Sequence, residues 1–574
     1  MLARLECSDV AKYSKGNIKE KCYLMEKIAN DTLSLWQEEG SHLIQKNFKV
    51  FRSLVDQTRD YVQRGKYNQA VVYGQSAALY AFLQHCGFFF SPELEQLFLA
   101  LGQKTIPTGS DSRNKISLRG KVNHILHVAT SVHSIGGHSR MIWRWIEQDD
   151  QRSHSLVLTQ QPSVLVPKTI KDAILKTQGK IYSLTETIGD VISWAKRLRQ
   201  IALSADIVVL HIMPGDVIPL IAFSNKEQSP PVIFVNHADH GMWLGASISD
   251  VVANLRFSGM RLSQERRGIA PERNKLLPII LNPHHRTLTR VEAKRKLGIA
   301  ENSVLLLSIA RSAKYKTTDG INFADVHVPL LERYQQAILV VIGVNPSEDW
   351  STAIQDTQGR IKRFPEREDT DIFFQAADIF VDSFPITSNT SLLEAGSYGV
   401  PLVTRFPYPD AYRIAGPDAP GFDEHLIRVR NLEEYTAVLS HLLEDEKFRL
   451  SIGEQTQKNI IKTHIGSGWQ SSLEDMYLQA TTLPRITLAS ETMKDQMFIG
   501  EPDVLLPKIF SYATGKDKIN IDELIQLHPF SQTFTQKLRV WINTVKIYGI
   551  GRGRIQLLLP SWFYWRLKKL ISVN

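Results

Sequence analysis

Asp378-Ile-Phe-Val-Asp-Ser-Phe-Pro-Ile-Thr-Ser-Asn-Thr-Ser-Leu-Leu-Glu-Ala-Gly-Ser-Tyr-Gly-Val-Pro-Leu-Val-Thr404 is the stretch whose reading decides the fold. Ile379 to Val381 has the apolar run of a buried strand, and the chain then turns through Pro385. A helix opens at Asn389 to Ser391, and Gly399-Val-Pro leads into a second buried strand ending at Thr404. A strand, a polar loop and a helix N-terminus together make an anion site, because unpaired backbone N–H groups and the positive end of the helix dipole converge there. Thr390 and Ser391 add small hydroxyl donors, and Glu394, one turn into the helix, is placed to accept from a sugar hydroxyl beside a bound phosphate. The ligand implied is a nucleotide diphosphate; a plain βαβ unit with a well-capped helix would look the same.

Upstream the same alternation of buried strands and helical patterns repeats, which implies parallel sheets with ligands beyond the carboxyl ends of the strands. Val122 to Thr130 reads as a strand, followed by Ser134-Ile-Gly-Gly-His-Ser-Arg140 and an amphipathic helix beginning near His138. The Gly136-Gly137 pair permits close backbone approach to phosphate or sugar. Strands follow at Ser155–Leu158, Asp206–His211 and from Pro231, and His237, Asp239 and His240 emerge at the end of the last. A metal reading of these three lacks a fourth ligand, so a metal-free site is expected. Asp239 or His240 would serve as a base if partly buried. From near Trp243 a helix is expected, with Asp250, Arg256, Arg261, Arg266 and Arg267 on a solvated face. Leu276 to Asn282 reads as the strand that leaves this domain, and Pro283 to about Gly298 as a linker. Val304 to Lys316 is an apolar strand ending in the cations Arg311, Lys314 and Lys316, and Ala337 to Gly343 is another buried strand.

The 574 residues are too many for one core and suggest three to four units at about 150 residues each. With 43% apolar and 22% charged residues the chain reads as globular and soluble. Cys7, Cys22 and Cys86 lack ligand spacing and suit a reducing compartment. The first residues carry charges where a signal peptide needs an apolar run, and no apolar stretch approaches the length of a spanning helix, so a cytoplasmic chain is expected. The net charge of +9 is concentrated at the end, where eight basic and no acidic residues follow from Lys537. That argues against a nucleic-acid partner.

Residues 1–115 read as an α-helical N-terminal region. Tyr61 to Ala70 around Gly65 is similar to one tetratricopeptide hairpin, with Ala70, Tyr73, Ala77, Ala78 and Ala81 on a small-residue face, and a cap packed on the next domain is the plainer reading. Thr105 to Lys115 forms the boundary. Residues 116–285 read as a first Rossmann-like domain, 286–480 as a second, and 481–574 as a basic, aromatic extension. In that extension Leu557 to Ile571 mixes aromatics and cations as a segment at a membrane surface does, or as a helix returning over a domain would.

The organising stretch resembles the nucleotide-sugar site of glycosyltransferases with the GT-B fold, an α/β architecture of two facing Rossmann-like domains. Glu394 matches the ribose-holding glutamate of retaining family-4 enzymes, but their first glutamate falls on Ile386. The loop Ser388-Asn389-Thr390-Ser391 is equally similar to the diphosphate loop of O-GlcNAc transferase-type enzymes, which invert, so the stereochemistry stays open. The resemblance spans about 122 to 480, with residues 116–285 as the implied acceptor side and 286–480 as the implied nucleotide-sugar-binding side. It implies that Gly136, Gly137 and Arg140 face the cleft and that His237 contacts the donor sugar. It further implies that Arg311, with Lys314 or Lys316, neutralises the leaving diphosphate, as preorganised cations do where charge develops. Asn389, Thr390 and Ser391 would cradle the diphosphate. The implied activity is transfer of a sugar from a nucleotide-diphosphate sugar, UDP-sugars favoured, to an acceptor the sequence does not identify, with no cofactor and no metal. A non-catalytic nucleotide-sugar-binding scaffold and a sugar epimerase are the alternatives.

Overall fold

The computed structural model describes residues 18–106, 122–283, 286–315, 322–345, 348–384, 386–422, 425–486, 494–509 and 519–526, with six single positions after 536. Lys316, Pro385, most of the boundary at 105–115 and nearly all of the 537–574 extension lie outside the described residues. The chain divides into two compact units, one built on Ser41–Asn282 and His464–Asp503, the other on Pro283–Thr463.

The first unit holds a seven-stranded parallel sheet in the order β3-β2-β1-β4-β5-β6-β7. Its strands are β1 (His124–Ala129), β2 (Ser153–Leu158), β3 (Ile181–Ser183), β4 (Ile207–His211), β5 (Val232–Asn236), β6 (Val251–Asn254) and β7 (Asn274–Leu276). The central strands are buried on both faces, as their unbroken apolar runs require. One face packs under the helices Gly137–Gln148 and Lys168–Lys176, through Ile142, Ile146, Ile170 and Ile174. The other is covered by Val191–Ala202, which Asp190 caps through the Ser193 N–H, and by the N-terminal helices.

Those N-terminal helices are Ile18–Gln63, Tyr67–Leu83 and Pro92–Thr105. Gly65 makes the first turn at φ +70°, and Ala70, Ala77, Ala78 and Ala81 form a buried face. Leu94 and Phe98 join the same core as Leu126 and Val208. The fully buried Glu95 accepts from the N–H groups of Gly245, Ala246 and Ser247 at 2.6, 3.0 and 2.8 Å. Burial pushes this carboxyl up, and the three bonds pull it back. Glu95→Gln leaves the Ser247 N–H facing an amide NH2. It is expected to cost about 1–2 kcal/mol, read as a lower midpoint in urea.

No helix runs through Trp243. Gly245 takes φ +126° and only a 3-10 turn, Ala246–Ile248, follows before β6 inserts between β5 and β7. Asp250 and Arg256 flank that strand and are buried instead of solvated. Asp250 pairs with Lys226 at 2.9 Å and Arg485 at 3.2 Å. The helix itself is Phe257–Arg267, with Arg267 also buried. After β7 ends at Leu276, the chain leaves without further strand pairing. The helix Ser467–Thr482 packs on this same unit through Trp469, whose indole donates to the Pro278 carbonyl at 2.9 Å.

The second unit holds a six-stranded parallel sheet in the order β10-β9-β8-β11-β12-β13. The strands are β8 (Val304–Ile309), β9 (Ala337–Ile342), β10 (Ile361–Phe364), β11 (Ile379–Val381), β12 (Leu402–Arg405) and β13 (Leu426–Val429). The organising stretch thus supplies β11, the helix Asn389–Ser397 and β12, which pairs with β11 at Val381↔Val403. Two Rossmann-like α/β units in one chain, preceded by a helical region, are the fold class expected from the sequence. Among the described residues no helix is long and apolar enough to cross a membrane.

Candidate functional sites at the carboxyl edges of the two sheets

In the second sheet β11 and β8 are neighbours, so their carboxyl ends bring Asp382 and the loop after it beside Arg311 and Lys314. Asp382 organises this loop. It accepts from the Thr387 hydroxyl, the Ser388 N–H at 3.0 Å and the Thr404 hydroxyl at 3.1 Å. Burial raises its carboxyl, while these bonds and nearby Lys314 oppose the rise. Lys314 donates to the Thr387 carbonyl at 2.7 Å, tying the cation to the start of the loop. Arg311 is exposed. Gly343 closes β9 at φ +97°, where a Cβ would meet the Ala310 carbonyl oxygen at 1.8 Å, so only glycine lets that strand end pass behind Arg311.

The helix Asn389–Ser397 begins where the sequence predicts. Ser388 is its N-cap but does not cap it through its side chain; its hydroxyl donates to Ser391 at 3.1 Å. The first N–H groups therefore keep the orphan character that suits an anion. Asn389 has a buried amide oxygen without a partner among the described residues, and a half-turn of the amide would present a donor instead. Thr390 and Ser391 are half-buried at the helix start. Glu394 is 5% exposed, one turn in, near enough to Tyr398 to help burial raise that phenol. Ile386 carries no carboxylate, and its carbonyl accepts from Ser383 at 2.9 Å.

In the first sheet the carboxyl end of β1 leads into the Gly-Gly loop. Gly136 takes φ +120° to open the helix Gly137–Gln148, with the Arg140 N–H closing the first turn on the Gly136 carbonyl at 3.1 Å. Below it, Asp216 accepts from Thr130 at 2.7 Å and from Thr159, binding the ends of β1, β2 and β4 together. Burial raises the Asp216 carboxyl against these bonds.

His237 follows β5, with its ring 4.6 Å from that of His138 in the first turn of the helix Gly137–Gln148. Its Nε2 lies 3.1 Å from Nδ1 of His211 at the end of β4. Burial, reinforced by the charge of a protonated His138, lowers His237 well below the usual histidine value, so it is neutral at pH 7. Asp239 and His240 are placed differently. Asp239 is buried and bound by Arg256 through Nε at 2.8 Å and Nη2 at 2.6 Å. Burial alone would raise its carboxyl, but the Arg256 charge overcomes this and holds it well below the ordinary range. His240 is 39% exposed at its side chain, 3.6 Å from Asp239, and its ring lies 5.5 Å from that of Phe82.

The residues that sequence reading did not single out are Asp382, Asp216 and the histidines that His237 joins: His138, His211, His127 and His154. His127, His154, His211 and His237 meet nitrogen to nitrogen in a row, while His138 Nε2 donates to the His211 carbonyl at 2.9 Å. Among the described residues no cluster is placed to hold a metal ion.

No family model matches the chain, and no curated protein does. Solved structures do. An Anabaena HepE structure with UDP and glucose is 12% identical at TM-score 0.47, covering 63% of this chain and 100% of its own. A Rickettsia africae glycosyltransferase is 12% identical at TM-score 0.48, with the same coverage. A mutant Thermobaculum terrenum O-GlcNAc transferase is 15% identical at TM-score 0.43, covering 83% of this chain and 97% of its own. The chain is similar to these glycosyltransferase structures over those shares of their length.

Proposed function

We propose that the protein is a glycosyltransferase that moves a sugar from a nucleotide-diphosphate sugar to an acceptor hydroxyl without a metal ion. The observation that carries this reading is the loop held by Asp382 at the carboxyl end of β11. It delivers an uncapped helix N-terminus, Asn389, Thr390 and Ser391 to the strand end beside Arg311 and Lys314. Breaking a sugar–phosphate bond builds negative charge on the departing diphosphate. Fixed N–H groups and two cations stabilise that charge without reorganising. Arg311 and Lys314 take this role, with Lys316 two residues on. Asn389, Thr390 and Ser391 cradle the diphosphate, and Glu394 holds the ribose.

In the first unit Gly136, Gly137 and Arg140 face the reacting sugar. His237 is the proton acceptor, because Asp239 is committed to Arg256 and held too low to take a proton at neutral pH. Incubation of the full chain with UDP-, GDP-, ADP- and dTDP-sugars labelled in the sugar tests the activity. Label should leave the nucleotide for one carrier, onto an added glycan, lipid or protein acceptor or onto water. Intact donors throughout would refute the transferase reading.

Glu394→Gln removes the charge that accepts from the ribose while keeping the side chain's volume. It is expected to weaken nucleotide binding about 30-fold, about 2 kcal/mol, with little change in melting temperature. Unchanged binding by titration calorimetry would take Glu394 out of the site.

A further inference from the structure

Four imidazoles cross the first sheet in one hydrogen-bonded row. His154 Nδ1 lies 3.0 Å from His127 Nε2, His127 Nδ1 lies 3.1 Å from His211 Nε2, and His211 Nδ1 lies 3.1 Å from His237 Nε2. The row is uniform: at every junction an Nε2 meets the Nδ1 of the next ring. Strand register explains it. His154 pairs with Ile125 and His211 with Ala129, so each ring stands two residues further along than the last. All therefore share one face. That diagonal climbs from the amino end of β2 to the carboxyl edge at His237.

The ends of the row differ in chemistry. At the buried end His154 Nε2 faces two acceptors, the Asp149 carbonyl at 3.0 Å and its carboxylate at 3.3 Å. That carboxylate is held by Arg152 at 2.7 Å and by the Tyr477 hydroxyl at 3.0 Å, while Arg152 also pairs with Glu474. At the other end the His237 Nδ1 has no partner among the described residues, and the ring is only part-buried. Facing acceptors only, His154 Nε2 must carry a proton. When His154 is neutral its Nδ1 is then a lone pair, which makes every Nε2 along the row a donor and leaves His237 with a lone pair at Nδ1.

We infer that this row is a proton relay, in which His237 accepts a proton at Nδ1 and the positive charge is stored on His154 beside Asp149. As the O–H bond of the acceptor hydroxyl breaks, an N–H bond forms at His237 Nδ1. The Nε2 protons of His237, His211 and His127 each pass to the Nδ1 of the next ring. His154 ends with both nitrogens protonated, paired with the Asp149 carboxylate, and no ring between carries charge. The groups facing His154 are Asp149, Arg152, His127, Tyr477 and, through Arg152, Glu474; His124 adds charge near His127. Those facing His237 are His211, His138 and Asp239. Burial disfavours an imidazolium on His127, His211 and His237, and of the four only His154 has a carboxylate on its ring nitrogen. His127, His211, His154 and Asp149 are thus positioning residues acting through His237, and that catalytic part rests on the proposed transferase reading.

Ring nitrogen-15 NMR of the histidine-labelled full chain, titrated with acid, tests the relay without any need for activity. As His154 gains its second proton, His127, His211 and His237 should change from Nε2–H to Nδ1–H with the same midpoint. His127→Gln should uncouple His237 from that midpoint. In the wild type, His237 keeping one tautomer while His154 titrates would overturn the relay. With the coupling present, Asp149→Asn should lower kcat roughly 10–100-fold with KM for the nucleotide sugar unchanged. Coupling in a chain that transfers no sugar leaves the relay standing and refutes the transferase reading instead.

Discussion

Replacing His237 by glutamine is expected to slow sugar transfer about 10²–10⁴-fold while leaving nucleotide affinity unchanged. The glutamine amide keeps an N–H where Nε2 donates to His211 but has no basic nitrogen where Nδ1 stands. The loss should therefore fall on proton removal and not on packing. The diphosphate and ribose contacts are assigned to residues 311–394, so nucleotide binding is a built-in control. Single-turnover rates beside titration of the nucleotide separate the two. A variant that transfers at the wild-type rate would remove His237 from the chemistry, and one that also loses nucleotide affinity would point to misfolding.

Acidification is expected to weaken the fold from about pH 6.5 downward, through its buried histidines. Burial holds His127, His211 and His237 well below their ordinary value of 6.5, and His138 below it too. In the second unit His327, buried between the Phe323 carbonyl and the Tyr435 hydroxyl, is brought down to about 4. A histidine lowered in the folded state contributes its full stability above 6.5. That contribution is lost as pH falls, because the unfolded chain then binds more protons. Each such group loses about 1.4 kcal/mol per pH unit below 6.5, against a whole stability of about 5–15 kcal/mol. The melting temperature at constant ionic strength should fall by more than about 10 °C from pH 7 to pH 5. Asp149 and Asp239, held low by their partners, add a separate loss only below their unfolded value of 3.8. A melting temperature flat from pH 7 to pH 5 would contradict the burial of neutral imidazoles.

Parallel strands were legible because burial on both faces makes them continuous apolar runs, as in Val304–Ile309 and Ala337–Ile342. The helix start at Asn389 was legible because a polar loop between two such runs leaves few other readings. Val251–Asn254 was not: four residues between Asp250 and Arg256 look like part of a charged helix until β5 and β7 flank them. The Arg256 partner of Asp239 was hidden for the same reason, since β6 lies between them in sequence. His127 and His211 were visible as polar residues in apolar strands. Their joining with His154 and His237 depends on register, which a single sequence leaves open and which a one-residue slip would destroy. Asp382 ends β11 in plain sight, yet its hold on Thr387, Ser388 and Thr404 is a tertiary fact.

The most direct test of the central claim is the melting temperature of the full chain with UDP, GDP, ADP or dTDP in excess EDTA, wild type beside Glu394→Gln. A ligand at 100 times its dissociation constant stabilises by about 2.7 kcal/mol, enough to move the transition by several degrees. One nucleotide should raise the wild-type midpoint, with UDP the first expected, and at the same concentration should raise that of Glu394→Gln much less. No shift with any of the four, with EDTA or with added divalent metal, would contradict a nucleotide-sugar site at the carboxyl edge of the second sheet.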